Sequence, residues 1–219
     1  MSGGFLIAVD GPAASGKGTI ASGLARHYHY PYLDTGRLYR AVGVSVLAAG
    51  GDLDDEATAA AAARTLAVIR LEDPALRDRR AGEAASRVAV HPQVRAALIN
   101  FQRGFAAQTP GAVLDGRDIG TVIAPQAQAK LFVTATPEAR AKRRWLQLRD
   151  QGEAVTFEEV LEDIRIRDQR DSARADAPLI AAADAVLLDT TEMTIDQAAD
   201  AARRIVETAR GRWAQTQAG

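Results

Sequence analysis

Short runs of apolar residues recur along the chain, each bounded by glycine, proline or aspartate. The first run, FLIAV at residues 5–9, is followed directly by Asp-Gly-Pro, a boundary typical of a buried strand. Further strands are predicted in YPYLDTG, GAVLDG, AKLFVTA and DAVLLDTT. Because continuous apolar runs are typical of strands covered on both faces, the pattern favours a parallel sheet.

Stretches with helical periodicity separate these runs. A helix is predicted from about Lys17, and a second, in RLYRAVGVSVLAAG, is closed by Gly50 and Gly51. Residues 52–91 are Ala-rich and charged with weak periodicity, which predicts helical segments of a small insertion. Longer helices are predicted in PQVRAALINFQRGFA, TPEARAKRRWLQLRD, FEEVLEDIRIRDQRDSAR and TIDQAADAARRIVETARG, with a frayed tail at 215–219. The alternation predicts an α/β fold, a five-stranded parallel sheet with helices on both faces.

Composition narrows the class of protein. The 219 residues can bury one sizeable core, and 47% of them are hydrophobic. No apolar stretch approaches the roughly 20 residues that span a bilayer, and we expect no secretory leader. The lack of cysteine excludes disulfides and thiolate chemistry, and the net charge of −1 gives no indication of a nucleic-acid partner. These features predict a cytoplasmic protein without membrane contact.

GPAASGKGT, directly after the first predicted strand, nearly matches the phosphate-binding loop pattern G-x-x-x-x-G-K-[ST]. Glycines let backbone N–H groups surround phosphate oxygens, Lys17 can reach the outer phosphates, and the following helix start favours an anion. A glycine-rich turn without a ligand is the alternative. The candidate ATP-binding loop comprises Gly11, Pro12, Ala13, Ala14, Ser15, Gly16, Lys17, Gly18 and Thr19.

The loop departs from the pattern at one position. Gly18 stands where the pattern has Ser or Thr, and the hydroxyl comes one residue later, at Thr19. The hydroxyl of the strict pattern holds Mg²⁺ directly. We therefore expect a largely hydrated Mg²⁺ that bridges phosphates, with Thr19 bonding a phosphate.

The helix FEEVLEDIRIRDQRDSAR carries arginines on the side that is apolar at its start. Steps of four, three, four and three residues place on one helix face Val160, Ile164, Arg167, Asp171 and Arg174. Because that face begins apolar, it should point into the core, where clustered guanidinium groups need a dense anion such as a polyphosphate. Internal ion pairs with Asp168 or Asp171 are the alternative.

Stretches spread in order over nearly the whole chain carry a family resemblance: IAVDGPAASGKGT, LDTGRLYRA, AASRVAVHPQVR, LDGRDIGTVI, RDQRDSARADAPL and ADAVLLDTT. The chain resembles the bacterial cytidylate kinases, a branch of the nucleoside monophosphate kinases with a G-K-G-T loop. DGRDIGT together with RDSARADAPL is far more specific than the loop alone. The resemblance implies an adenylate-kinase-like P-loop fold, a monomer, and Mg²⁺-dependent phosphoryl transfer from ATP to CMP or dCMP.

The resemblance also implies one kinase domain, 1–219, with moving parts. Its core would be residues 1–50 and 92–219, with an insertion at about 51–91 that closes over CMP and a short lid at about 148–157. Many relatives carry a longer insertion, and part of it is missing here around LEDPALRDRRAGEA.

The resemblance implies a role for each residue that matches the family's motifs. Lys17 holds ATP phosphates together with the loop amides, while Arg140 and Arg144 reach ATP from the lid side. Taken alone, these two arginines would be surface charges, and Arg40 an ordinary surface pair. The catalytic set is Lys17, Arg117, Arg167 and Arg174, and the CMP phosphate and sugar are held by Thr35, Arg40, Arg117, Arg167, Asp171 and Arg174.

Ser86, Arg95 and Asp118 match the family's base-reading positions. Cytosine presents an exocyclic amine beside ring acceptors, which a carboxylate and an arginine or hydroxyl complement. Uracil would turn an oxygen toward Asp118, so that two acceptors face each other. The resemblance thus implies selection for cytosine.

Asp115 ends the predicted strand GAVLDG and could bond a metal-bound water. A structural role, capping the loop after its strand, is equally compatible with the sequence. Other small-molecule kinases of this fold, a nucleotide-sensing switch and a nucleic-acid binder are the rival functions. The switch is disfavoured because the chain has no N-K-x-D base motif.

Overall fold

The computed structural model describes residues 4–66, 71 and 73–218. One sheet contains the strands β1 (Phe5–Asp10), β2 (Tyr32–Asp34), β3 (Gly111–Gly116), β4 (Ala129–Thr134) and β5 (Val186–Asp189). All neighbouring strands are parallel, in the order β2-β3-β1-β4-β5. The prediction of a five-stranded parallel sheet is confirmed.

Helices alternate with these strands, as the periodicity predicted. In the part of the chain that the structure describes, none is long and apolar enough to cross a membrane. A 3₁₀ turn spans Pro74–Arg77 and a π-helical turn spans Ile119–Ile123. The α-helices are α1 (Lys17–Tyr28), α2 (Thr35–Ala48), α3 (Glu56–Arg64), α4 (Arg79–Val88), α5 (Pro92–Ala106), α6 (Pro137–Asp150), α7 (Phe157–Ser172) and α8 (Ile195–Ala218).

The predicted frayed tail is wrong. Helix α8 continues to Ala218. Trp213 packs edge-to-face on Phe5 with 5.4 Å between the ring centroids, which holds the last turns of the helix against the sheet.

The central strand β1 contributes side chains to both faces of the sheet, since successive residues of a strand point to opposite sides. Leu6 and Ala8 belong to a buried cluster with residues of α2, α3, α4 and α5. Ile7 and Val9 belong to a second cluster, with residues of α1 and α8. The helices therefore cover both faces, which explains why the strand is apolar from Phe5 to Val9.

Helices α3 and α4 lie inside the predicted insertion, yet they pack into the first of these clusters. Ala84 and Val88 of α4 are buried against α2. A Cβ added to Gly43 of α2 would lie 2.7 Å from the Cβ of Ala84, so the two helices touch almost backbone to backbone. Residues 67–70 and 72 of the insertion lie outside the described residues.

The phosphate loop between β1 and α1 has a backbone that requires glycine at Gly11. This residue has φ +151°, and an added Cβ would lie 2.0 Å from the carbonyl oxygen of Val133. That distance is far below any van der Waals contact, so the loop can follow this path only without a side chain there.

We expect Gly11→Ala to lower the free energy of unfolding by at least about 2 kcal/mol, because both the dihedral angle and the contact become strained. Gly23→Ala is the matched control, since Gly23 lies inside α1 and an added Cβ meets nothing within 4 Å. There alanine should raise the stability by about 0.5–1 kcal/mol. Urea denaturation of both variants checks this, and equal stabilities would contradict the loop geometry.

Candidate active site

A cavity of about 1340 Å³ opens at the carboxyl ends of β1 and β3, where the phosphate loop lies. Single-ligand pockets usually hold about 300–1,000 Å³, so this cavity has room for both a donor and an acceptor nucleotide. Its walls also come from α2, α4, α6 and α7 and from the segment after β5. Ligands bind at this edge of a parallel α/β sheet because the strand ends and helix starts meet there.

Lys17, at the start of α1, faces the end of β3. Its Nζ lies 3.9 Å from Oδ2 of Asp115, and its side chain is 14% exposed. Burial and the neighbouring guanidinium of Arg117 lower the pKa of Lys17. A bound phosphate would favour the charged ammonium again. Thr19 is exposed toward the same cavity, as a phosphate-bonding hydroxyl requires.

Asp115 is a buried carboxylate, 2% exposed, beside this lysine. The hydroxyl of Tyr32 donates to its Oδ1 at 2.9 Å, and the hydroxyl of Thr35 donates to its backbone carbonyl at 2.8 Å. Burial and the nearby charge of Asp34 raise the pKa of Asp115. A cation beside this carboxylate would offset that cost, so the site suits both the ammonium and a divalent metal.

The arginine cluster, which comprises Arg117, Arg167, Asp171 and Arg174, lies where the α7 stripe predicted. Asp171 is 0% exposed and accepts from Nε of Arg117 at 2.8 Å and from Arg174. Burial acts to raise the pKa of Asp171, but these cations outweigh it and lower the pKa to about 2. The inward face of α7 is confirmed from Val160 to Asp171, but the prediction that Arg174 lies on the same helix is wrong, because α7 ends at Ser172.

Arg167 differs from the other arginines of the cluster. Its Nε is enclosed without a hydrogen-bond partner, and its guanidinium forms no ion pair with any residue that the structure describes. Burial and the charge of Arg117 lower the pKa of Arg167 to about 9. The cluster therefore has three guanidinium groups and one carboxylate, and Arg167 is the arginine that this carboxylate does not pair. The alternative of internal ion pairing does hold for Asp171.

The base-reading group, which comprises Ser86, Arg95 and Asp118, is buried behind the cavity. Arg95 pairs directly with Asp118 and also donates to the hydroxyl of Tyr39 at 3.4 Å. Ser86, on α4, accepts from Arg170 of α7 at 2.9 Å. The polar groups of these residues thus already have hydrogen-bond partners within the protein. Cytosine could be recognised here only if it replaced the Arg95–Asp118 pair.

The structure brings most of the sequence-predicted residues to one place. Those that line the cavity are residues 13–19, Arg40, Asp115, Arg117, Arg144 and Arg167. Those that lie outside its lining are Gly11, Pro12, Thr35, Ser86, Arg95, Asp118, Arg140, Asp171 and Arg174. Of the second set, Thr35, Arg140 and Asp171 bond to residues of the lining, and Arg174 bonds to Asp171. No cluster of three or more Asp, Glu or His among the described residues could hold a metal ion by itself.

Comparison with known proteins identifies the family. The model of the family described as cytidylate kinase matches residues 7–208. The chain belongs to the cytidylate kinase family. It is accordingly a nucleoside monophosphate kinase, with the adenylate-kinase-like P-loop fold that the sheet order shows.

Individual cytidylate kinases are similar over almost their whole length. The cytidylate kinase of Caulobacter sp. (strain K31) is 68% identical over 209 residues, covering 95% of this chain and 97% of the relative. That of Caulobacter vibrioides (strain NA1000 / CB15N) is 66% identical, covering 95% and 98%. The crystal structure of an uncharacterized protein from Eubacterium ventriosum ATCC 27560 has a TM-score of 0.54 at 15% identity, covering 93% of this chain and 98% of that chain, and shares the fold.

In this cytidylate kinase family member, Arg140 has a different environment from the one the resemblance implied. Its Nε donates to the carbonyl of Ala135 at 2.9 Å and its Nη1 to the carbonyl of Ala13 at 3.2 Å. Asp168 accepts from both terminal nitrogens, at 2.9 and 2.5 Å. The guanidinium is 4% exposed and ties the phosphate loop to β4 and α7, so the structure does not place it on the ATP side of the cavity. Arg144, by contrast, lines the cavity.

Arg140→Met should therefore lower the free energy of unfolding by about 2–3 kcal/mol, because buried acceptors lose their donor. Arg144→Met should change stability by no more than about 0.5 kcal/mol and raise the KM for ATP about tenfold through a lost phosphate contact. Urea denaturation and ATP titrations separate the two effects. A stable Arg140→Met variant with a raised KM for ATP would restore the ATP-binding role for Arg140.

Two charged residues near the site escaped the sequence reasoning. Arg143 donates to the hydroxyl and carbonyl of Thr190 at 3.0 and 2.5 Å and lines the cavity beside the phosphate loop. Asp10 accepts from the amides of Ile119 and Gly120 at 2.8 and 2.7 Å, and burial raises its pKa to about 7. A charged residue at the end of an otherwise apolar strand was the available signal for Asp10. Arg143 lies three residues after Arg140, and its position on the cavity wall could not be predicted from that spacing.

Proposed function

We propose that this protein transfers the γ-phosphoryl group of ATP to CMP or dCMP, giving CDP or dCDP and ADP, and that the phosphates meet at Arg167. One observation supports these phosphate positions above all: the unpaired guanidinium of Arg167, beside a phosphate loop and inside a cavity of about 1340 Å³. A cation that is partly shielded from water and lacks an anionic partner is costly unless a ligand supplies the anion. We further propose that the enzyme acts as a cytoplasmic monomer.

The reaction asks the protein mainly to position two anions and offset their repulsion. A phosphate oxygen of CMP forms the new bond to the γ-phosphorus, and the bond from that phosphorus to the β,γ-bridging oxygen breaks, leaving ADP. The attacking oxygen is already anionic, so no strong general base is required. Lys17 and the loop amides hold the donor, Arg40 and Arg117 the acceptor, and Arg167 the group in transit.

The residues present fit a Mg²⁺ ion that is held with ATP. Asp115 offers a carboxylate whose burial calls for a cation, and Gly18 leaves open space beside it, since an added Cβ would lie 3.8 Å from Oδ2. Asp115 would hold the ion through a bound water. Bound Mg²⁺ would neutralise charge on the β- and γ-phosphates.

Selection for cytosine follows from the chemistry of the base-reading group. Asp118 would accept from the exocyclic amine, while Arg95 and Ser86 donate to the ring acceptors. For this the Arg95–Asp118 pair must open, and the insertion at about 51–91 and the lid at about 148–157 would close over the two nucleotides. Arg170 donates to Ser86, and Asp171 and Arg174 would contact the sugar.

The test is ADP release from ATP·Mg²⁺ with CMP, dCMP, UMP, AMP, GMP or no acceptor, side by side. The proposal predicts strong turnover with CMP and dCMP and weak turnover with UMP. Preference for AMP, GMP or UMP would overturn the base-reading group while leaving the kinase fold intact. Hydrolysis indifferent to every acceptor would instead indicate a nucleotide-sensing switch.

A further inference from the structure

The missing hydroxyl at Gly18 leaves a gap that another residue reaches. A Cβ built on Gly18 would lie 3.7 Å from the hydroxyl of Tyr32 and 3.8 Å from Oδ2 of Asp115. Both are ordinary contact distances, so the backbone here could carry a serine without a clash. The position that a loop serine would occupy is therefore bordered on one side by the tyrosine hydroxyl and on another by the carboxylate.

The Tyr32 hydroxyl bonds to the carboxylate that adjoins this position. It donates to Oδ1 of Asp115 at 2.9 Å. Burial and the charge of Asp115 raise the pKa of Tyr32, so the phenol remains a protonated donor. The other carboxylate oxygen, Oδ2, lies on the side of Lys17 at 3.9 Å. The tyrosine thus fixes which oxygen of Asp115 is turned toward the cavity.

Rigid elements hold this tyrosine in place. Tyr32 begins β2 and pairs with Val113 of β3, two residues before Asp115 in the same parallel ladder. Its ring packs against the buried cluster that also contains Ile20 of α1. The hydroxyl position is therefore set by the sheet and by α1 rather than by a mobile loop.

We infer that Tyr32 is a positioning residue that orients Asp115 for the water of the nucleotide-bound Mg²⁺. The inference rests on the proposed function in so far as Asp115 serves that metal. It differs from a purely structural tyrosine–aspartate bond in one consequence. Removing the Tyr32 hydroxyl should weaken the effect of Mg²⁺ on nucleotide binding and leave metal-free nucleotide binding unchanged.

Calorimetric titration with a non-hydrolysable ATP analogue, with and without Mg²⁺, tests the inference without relying on turnover. Outer groups that orient metal ligands are usually worth about 10–100-fold in metal affinity. Tyr32→Phe should reduce the gain in analogue affinity that Mg²⁺ produces by about tenfold and change the metal-free affinity by less than about twofold. Tyr28→Phe is the matched control, because it removes a tyrosine hydrogen bond to Glu207 away from the cavity, and it should leave both affinities unchanged.

Tyr32→Phe in an Asp115→Ala background provides a second test. Because Tyr32 acts through Asp115, the Mg²⁺-dependent gain should then change by less than about twofold. A Tyr32→Phe variant with the normal gain, or the same loss of about tenfold when Asp115 is already replaced, would overturn the inference. Normal CMP phosphorylation with any of these outcomes would leave the proposed function standing. A wild-type protein that shows the predicted Mg²⁺ linkage but phosphorylates no acceptor would overturn the function alone.

Discussion

Arg167→Met is expected to lower kcat/KM for CMP about 10³-fold or more while leaving the ligand-free protein at least as stable as before. Arginines that stabilise a transferring phosphoryl group are worth about 10³–10⁵-fold in kcat. The guanidinium of Arg167 has no hydrogen bond to lose among the described residues, and burial lowers its pKa to about 9. Replacing an unpaired, partly buried cation by an apolar side chain should be neutral or stabilising.

The combination of lost activity and retained stability is what distinguishes a phosphate ligand from a structural arginine. Arg165→Met is the matched control, since Arg165 lies on the exposed side of the same helix and pairs with Glu138 at 3.2 Å. It should change neither activity nor melting temperature appreciably. A substantially lower melting temperature for Arg167→Met, or activity within about tenfold of wild type, would contradict the role assigned to Arg167.

Asp118→Ala is expected to lower the ratio of kcat/KM for CMP to kcat/KM for UMP by about 100-fold. A site that hydrogen-bonds a substrate group rejects the analogue lacking it by about 10⁴-fold or more, because its buried polar atoms are left unpaired. Removing the carboxylate abolishes its bond to the cytosine amine and also its conflict with the uracil oxygen. CMP should therefore lose activity while UMP gains relative to it.

Asp118→Asn tests the same base-reading role while keeping almost the same side-chain shape. Its amide can turn an N–H toward the uracil oxygen, so UMP should improve in absolute terms. Asp176→Ala is the control, because Asp176 also lies near Arg95, 3.6 Å from its Nε, but is largely exposed. Initial rates with both acceptors check all three variants. An unchanged CMP-to-UMP ratio in Asp118→Ala would refute the base-reading role.

The features that the sequence predicted correctly are those carried by local order along the chain. The strands followed from uninterrupted apolar runs, and the inward face of α7 from the spacing of Ile164, Arg167 and Asp171, with Asp171 fully buried as that spacing requires. The phosphate loop followed from its glycines, since its backbone at Gly11 tolerates no side chain.

The features that the sequence could not reveal depend on contacts between distant segments. Arg140 and Arg143 are three residues apart on α6, yet one is enclosed by Ala13, Ala135 and Asp168 and the other lies on the cavity wall. Helical spacing alone cannot decide between them, because the partners come from other elements. For the same reason, nothing in YPYLDTG shows that a tyrosine of β2 reaches Asp115.

The most direct test of the account is a crystal structure with CMP, Mg²⁺ and a non-hydrolysable ATP analogue bound together. We predict that the guanidinium of Arg167 hydrogen-bonds phosphate oxygens, and that Asp118 has left Arg95 to accept from the cytosine amine. A complex in which the phosphates lie elsewhere, with Arg167 still unpaired and the Arg95–Asp118 pair intact, would contradict it.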